Sequence, residues 1–158
     1  MNTRREAREW VMQVLYAREI SGDPLKQIRA QWQPRNARLP LYNFALDVAQ
    51  KTDERHDQLD KIIIEYADKW ELERIAILDR IILRMAICEI LHFDDIPPKV
   101  TINEAIEIAK KYSTEKSDKF INGILDAVLH RHDSEGEPKS KSKVIKEKQG
   151  KKTASRGG

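Results

Sequence analysis

The residues best suited to chemistry lie in the segment PPKVTINEAIEIAKKYSTEKSDKFINGILD, residues 97–126. Its pattern predicts two amphipathic helices joined by a polar turn, with Tyr112 at the end of the first helix. Four lysines surround that turn: Lys110, Lys111, Lys116 and Lys119. A cationic rim with an aromatic ring suits single-stranded nucleic acid, because ammonium groups bind phosphates and an unstacked base packs on the ring face.

A second basic cluster, Arg4, Arg5 and Arg8, lies near the start of the chain. Charge alone is equally compatible with a solvated helix face, on which Glu6 and Glu9 pair locally with the arginines. Arg4 and Arg5 fall in the first turn of a predicted helix, where the helix dipole disfavours each cation by roughly 0.3–1 kcal/mol. An incoming phosphate would reverse that cost, so the cluster is a candidate phosphate site.

Tyr16 lies two turns beyond Arg8 and is a candidate for base stacking. A half-buried tyrosine with its hydroxyl in water is an equally ordinary interpretation, and the spacing of Tyr112 after Ala109 also fits a core position. Lys116 and Lys119 are likewise compatible with ordinary exposed lysines.

Length and composition indicate one compact unit, since 158 residues can bury a core without metal or disulfide support. Cys88 is the only cysteine, which excludes an intrachain disulfide and fits a reducing cytoplasm. The first residues, MNTRREAREW, carry no apolar segment typical of a secretion signal. Apolar runs are too short to span a membrane, so we expect a cytoplasmic protein.

The net charge of +3 is unevenly distributed. Residues 133–158 hold eight Lys/Arg and four Asp/Glu, a net +4, whereas residues 1–132 hold 21 and 22, a net −1. RNA binding must therefore depend on local clusters rather than on total charge. The segment 133–158 is poor in apolar residues, which predicts a disordered basic tail after a folded domain of residues 1–132.

Helical periodicity dominates the folded part, and no convincing strand pattern occurs. Thr3 and Glu6 have the spacing of a capping box and predict a first helix ending at Ser21-Gly22. Asp23-Pro24 predicts a short second helix, and Pro40 begins a long helical region, bent near KTDERHD and ending near Lys69.

Residues 72–92 predict one central helix that is apolar on most of its surface. Thr101 and Glu104 repeat the capping-box spacing and predict the start of the next helix. Gly123 lies within the last helical pattern, where we expect another helix backbone to approach closely.

Motifs for catalysis are missing from the sequence. There is no Gly-rich phosphate loop, no Gly-x-Ser-x-Gly and no Cys-x-x-Cys. His130 and His132 are a weak metal signal, and Cys88 fits a small core residue. We expect neither an enzyme nor a bound cofactor or metal.

The segment 97–126, with DRIILRMAICEI upstream and RREAREWVMQVLY near the start, resembles the bacterial transcription antitermination factor family NusB. The resemblance covers roughly residues 4–130. It implies an all-α fold, a compact bundle of six to seven helices in two small subdomains. It also implies RNA contact by the N-terminal arginines and the two tyrosines. Together with the lysines around the turn, the candidate RNA-binding residues are Arg4, Arg5, Arg8, Tyr16, Lys111, Tyr112, Lys116 and Lys119. Two positions differ from the usual family pattern: Ser113 replaces a frequent glycine, and Lys116 replaces an acid found in some relatives.

The resemblance also implies partners. NusB proteins pair with the ribosomal protein NusE, bind boxA-type sequences in nascent ribosomal RNA, and join other Nus factors on RNA polymerase. Glu73, Asp79 and Arg80 are the candidate residues for the protein partner, although solvation or intrahelical pairing also explains them. Arg84 and Glu89 are expected to be structural.

Two alternatives remain at this point. The chain could be a protein-interaction module whose apolar helices, with Glu73 and Asp79, dock a partner or a second copy, so that RNA contact is incidental and a homodimer is possible. NusB-like domains also occur fused to RNA cytosine methyltransferases, but we expect no room for such a domain in this chain.

Overall fold

A computed structural model describes residues 1–67 and 71–134. Within these residues the chain forms seven α-helices, one short 3-10 helix and no strand, which confirms the predicted all-α class. The predicted tail lies almost entirely outside the described residues, although the last helix continues to Ser134, two residues past the predicted domain boundary.

Helix α1 runs from Arg4 to Ser21, as its end signals predict. The Thr3 hydroxyl accepts a hydrogen bond from the Glu6 backbone N–H at 3.1 Å, which satisfies one of the unpaired donors at the helix start. At the other end Gly22 has a φ of 77°, the left-handed conformation that glycine adopts without strain. Helix α2 follows at Leu25–Gln31.

The long helical region is two helices, α3 (Leu39–Glu54) and α4 (His56–Tyr66). They are separated at Arg55, inside the polar stretch KTDERHD that predicted a bend. The predicted end near Lys69 lies outside the described residues.

The central segment begins later than predicted. Residues Leu72–Arg74 form the 3-10 helix, and α5 starts only at Ile77 and ends at His92. Every residue from 81 to 90 is buried, because α5 packs against α1, α3, α4, α6 and α7. Two groups of helices, α1–α3 and α4 with α6 and α7, thus meet on α5 in one continuous apolar core.

Arg84 is the polar exception on the α4 side of α5. Its guanidinium donates to Asp60 at 2.7 and 3.0 Å and to Glu19 at 3.0 Å, and this pairing lowers the pKa of the Glu19 carboxyl. The side chain joins α1, α4 and α5, which confirms the structural role expected for it.

Helix α6 spans Pro98–Tyr112 and α7 spans Ser117–Ser134. The second capping-box prediction is wrong: α6 begins three residues before Thr101, which lies inside the helix and is buried. The prediction for Gly123 is also wrong. Gly123 is exposed, and a Cβ added there would meet no atom within 4 Å, so no neighbouring backbone requires a glycine.

Candidate nucleic-acid interface

Arg5 connects the two predicted basic regions of the chain. Its guanidinium donates two parallel hydrogen bonds to Glu104 of α6, Nε to Oε1 and Nη2 to Oε2, both at 2.8 Å. This hydrogen bonding lowers the pKa of the Glu104 carboxyl. The Arg5 side chain remains 47% exposed, so part of the guanidinium fork still faces solvent.

Arg8 has a different environment from the one predicted. Its guanidinium donates to both carboxylate oxygens of Glu89, at 2.8 and 2.9 Å, and the Thr101 hydroxyl donates to the same carboxylate at 3.0 Å. The side chains of Arg8 and Glu89 are only 5% and 1% exposed. Arg8 therefore holds α1, α5 and α6 together, and its buried guanidinium is not presented to a ligand at the surface.

Arg4 lies one turn before Arg8 on the same side of α1. Its guanidinium carbon is 4.4 Å from the centre of the Phe44 ring of α3, a cation–π contact, and the residue is exposed. The guanidinium carbon of Arg8 is 5.2 Å from the same ring, so Arg4 and Arg8 share a neighbour on α3, whereas Arg5 pairs with α6.

Glu9 lies at the centre of the contact between α1 and the end of α6. Lys111 Nζ is 3.2 Å from Glu9 Oε2, and the Tyr112 hydroxyl donates to Glu9 Oε1 at 3.3 Å. The hydrogen bond that Lys111 donates to Glu9 raises the pKa of the Lys111 ammonium group. The same ammonium nitrogen lies 5.1 Å from the centre of the Tyr112 ring. The sequence predicts Glu9 only as a local partner of arginines, because its true partners are more than a hundred residues away.

Tyr16 extends this surface along α1. Arg5, Glu9 and Tyr16 are separated by four and seven residues, spacings that place side chains along one side of a helix. Tyr16 is 40% exposed, and Tyr112 is half-buried. We call the group Arg5, Glu9, Tyr16, Lys111 and Tyr112 the Glu9 surface.

Lys116 and Lys119 are exposed in the turn and at the start of α7. Lys116 borders an apolar groove lined also by Ile75 and Phe120. The structure therefore keeps both lysines accessible, but no contact joins either of them to the Glu9 surface among the described side chains.

The three candidate partner residues differ in accessibility. Glu73 is exposed on the 3-10 helix, and Arg80 is partly buried. Asp79 is only 6% exposed and accepts hydrogen bonds from the hydroxyls of Ser113 and Ser117. Asp79 therefore fixes the α6–α7 turn from within the protein. Ser113, which stands where relatives often carry glycine, is one of its two donors.

Other site types find little support in the described part of the chain. Burial raises the pKa of the Cys88 thiol to about 11, which disfavours the nucleophilic thiolate. Residues 1–67 and 71–134 contain no cluster of three or more His, Cys, Asp or Glu side chains suited to a metal ion. None of the helices described combines the length and the apolarity that a bilayer crossing requires.

Comparison with known proteins gives consistent results. A model described as the NusB family matches residues 5–130. The transcription antitermination protein NusB of Chloroherpeton thalassium is 44% identical over 136 residues, which cover 85% of this chain and 64% of that relative. The chain thus matches slightly less than two thirds of that protein's length.

Solved structures agree with the sequence comparison. The NusB of T. maritima is 36% identical with a TM-score of 0.80, covering 91% of this chain and 99% of that one. A structure described as antitermination factors NusB and NusE in complex with double-stranded RNA matches with a TM-score of 0.70. It covers 83% of this chain and 98% of that one. At 24% identity, that likeness concerns the fold alone.

Proposed function

Because this chain belongs to the NusB family, we propose that it is an RNA-binding transcription antitermination factor. In this proposal it pairs with NusE and binds boxA-type sequences in nascent ribosomal RNA. The name carried by its relatives supports the role in antitermination, and the complex of NusB, NusE and RNA with the same fold supports the choice of partners.

The observation that carries the proposal is the Glu9 surface. Lys111 and Tyr112, at the end of α6, both contact Glu9 of α1. On the same side of α1, Arg5 pairs with Glu104 of α6, and Tyr16 is exposed two turns beyond Glu9. The side chains of Arg5 and Lys111 are 47% and 59% exposed, and ion pairs at such exposure contribute little, so an RNA phosphate can compete with their carboxylate partners. The surface can therefore exchange its internal pairs for phosphates, while an unstacked base packs on Tyr16 or Tyr112.

Arg4, Lys116 and Lys119 add exposed cations near the start of α1 and of α7, and each is a further phosphate contact in this proposal. Arg8 takes a different role: it holds α1 in place beneath the surface through Glu89. The sequence prediction that Arg8 contacts RNA directly is replaced by this indirect one.

The output of the protein is binding energy without chemistry. We infer that NusE binds near Glu73 and Arg80, and that Asp79 supports this face by fixing the α6–α7 turn. The bound assembly joins other Nus factors on RNA polymerase. It then tethers the transcript to the enzyme and raises its effective concentration there.

Salt dependence of RNA binding tests the Glu9 surface. With about five phosphates neutralised, log K against log salt should have a slope near −3.5, because each single-strand contact contributes about −0.7. The double variant Arg5→Gln, Lys111→Gln should bind a boxA oligonucleotide more weakly and flatten that slope by about 1.4. Filter-binding titrations at several salt concentrations give both quantities.

Lys61→Gln is the matched control, since it removes an exposed cation from α4, which forms no part of the Glu9 surface. A slope that falls equally in the control and the double variant would remove the Glu9 surface from the proposal. Sizing the protein with and without RNA distinguishes the alternative of a self-associating module, which predicts a dimer that RNA does not dissociate.

A further inference from the structure

Residues 24–46 form the most one-sided charged segment of the folded part. They lie between Asp23 and Asp47 and contain four basic and no acidic residues, although residues 1–132 as a whole carry a net charge of −1. The basic residues are Lys26, Arg29, Arg35 and Arg38. The segment comprises α2, the loop after it and the first half of α3. This run of like charges is visible in the sequence, but it lies outside the three segments that carry the resemblance to the NusB family.

These cations have no carboxylate partners within residues 1–67 and 71–134, in contrast to Arg5, Arg8, Arg84 and Lys111. Lys26, Arg35 and Arg38 are exposed, and Arg29 is partly buried with its Nε lacking a hydrogen bond. An internal salt bridge therefore does not explain this concentration of positive charge. The cations are therefore available to an external anion.

Trp32 supplies an aromatic face among these cations. Its indole is 44% exposed, while its carbonyl accepts a hydrogen bond from Trp10 Nε1 at 2.7 Å. Its backbone N–H also bonds to the end of α2, and Trp10 itself packs edge-on against Tyr42. The backbone at Trp32 is thus held in place while the ring remains available, which lowers the ordering cost of a stacking contact.

The loop after Trp32 displays its arginines on a tight turn. Asn36 has a φ of 54°, a left-handed conformation that asparagine tolerates, and the turn at Arg35 and Asn36 places Arg35 at the surface. Arg38 follows at the N-cap of α3 and is also exposed.

We propose that Lys26, Arg29, Trp32, Arg35 and Arg38, which we call the Trp32 surface, form a second contact for single-stranded RNA. It binds the transcript that flanks the element held at the Glu9 surface, and in this respect it rests on the proposed function. Guanidinium groups beside an exposed indole fit this ligand, because phosphates pair with the forks and any base stacks on the ring. An anionic membrane fits less well, since α2 has only seven residues and buries its apolar positions, Leu25 and Ile28.

The two surfaces flank the same helix. Glu9 and Trp10 are consecutive in α1, so their side chains diverge by about 100° around the helix axis. Glu9 contacts the end of α6 on one side, and Trp10 contacts Trp32 on the other. The outer face of α1 between them is exposed at Gln13, Tyr16 and Ile20, and it provides an uncovered path for one strand.

RNA length separates the two surfaces experimentally. The probes are a boxA oligonucleotide of about 12 nucleotides and the same element extended with unstructured sequence to about 30 nucleotides. One single-strand binding site covers about 4–16 nucleotides, so the short probe fills one surface and the long probe can reach both. The full chain should bind the longer RNA more tightly. The double variant Arg35→Gln, Arg38→Gln should bind the short RNA normally and lose that gain. Its salt slope for the long RNA should flatten by about 1.4.

Trp32→Ala should leave binding of the short RNA unchanged and weaken binding of the long RNA by about 5- to 150-fold if one base stacks there. Lys61→Gln is the charge control, and circular dichroism confirms that each variant is folded. Unchanged binding of the long RNA by both variants would overturn the proposal. So would loss of attachment only to phosphatidylglycerol vesicles, which would identify a membrane surface instead. Failure of the Arg5→Gln, Lys111→Gln variant to weaken the short RNA concerns only the function proposed above.

Discussion

Two arginines on α1, three residues apart, make the same kind of pair with a glutamate but differ in their exposure to solvent. Arg5 and Arg8 each donate two hydrogen bonds to one glutamate, Glu104 and Glu89 respectively, at 2.8–2.9 Å. The side chain of Arg8 is 5% exposed and that of Arg5 is 47% exposed. Geometry is therefore not what separates a structural arginine from one available to a ligand. The difference is solvent exposure, because it determines the free-energy cost of replacing the glutamate carboxylate by a ligand.

The largest effect should come from breaking the buried pair. Arg8→Ala leaves the Glu89 carboxylate buried without its counter-charge, so we expect a loss of about 3–5 kcal/mol in the free energy of unfolding. Chemical denaturation followed by circular dichroism measures it. Arg8→Met with Glu89→Leu removes both charges at similar volume and should recover most of the stability. A loss below about 1 kcal/mol for Arg8→Ala would show that the two pairs are equivalent after all.

An intermediate effect should come from the tyrosines of the Glu9 surface. If a base stacks on Tyr16 or Tyr112, replacing that residue with alanine should cost about 1–3 kcal/mol of RNA binding. Tyr112→Phe keeps the ring but loses the hydroxyl that donates to Glu9, and it should bind RNA nearly as well as the original. Fluorescence titration with a boxA oligonucleotide compares these variants. Equal losses for phenylalanine and alanine would assign the contribution to the hydroxyl instead of the ring.

The smallest effect concerns the exposed pair and pH. Arg5 lowers the pKa of Glu104 below its ordinary value near 4.5, so the folded state favours the ionised carboxylate. This stabilisation is present above pH 4.5 and is lost as the pH falls through the lower, folded-state pKa. Arg5→Gln should reduce stability at neutral pH far less than Arg8→Ala does, because water screens the exposed pair. Below pH 4.5 the difference should shrink, as urea unfolding at several pH values would reveal. A difference that grows in acid would contradict this linkage.

Local signals predicted the fold well where local contacts decide it. The Thr3 and Glu6 spacing marks the true start of α1, and the apolar periodicity identifies α5 as the central helix. The same spacing at Thr101 and Glu104 failed because both side chains serve distant partners, Glu89 and Arg5. Two identical local patterns thus have different outcomes, and only the three-dimensional contacts decide between them.

The candidate site shows the same limit. The basic and aromatic residue types predicted an RNA surface formed by the start of the chain and the segment after Ala109, and Lys111 and Tyr112 do adjoin α1. The sequence could not show that Arg8 is buried, because its partner Glu89 lies 81 residues away. Nor could it show that the Asp79 carboxylate already accepts hydrogen bonds from two serine hydroxyls of the α6–α7 turn.

The separation of Arg8 and Glu89 also affects how the protein is made. At a synthesis rate of about 5–20 residues per second, Glu89 leaves the ribosome roughly 4–16 s after Arg8. During that interval the first helix has neither the carboxylate nor the Thr101 hydroxyl that will later complete its buried contact. Helix α1 is therefore synthesised before the other described helices and is among the last to reach its final environment, so the nascent chain must remain soluble while an apolar face of α1 is uncovered.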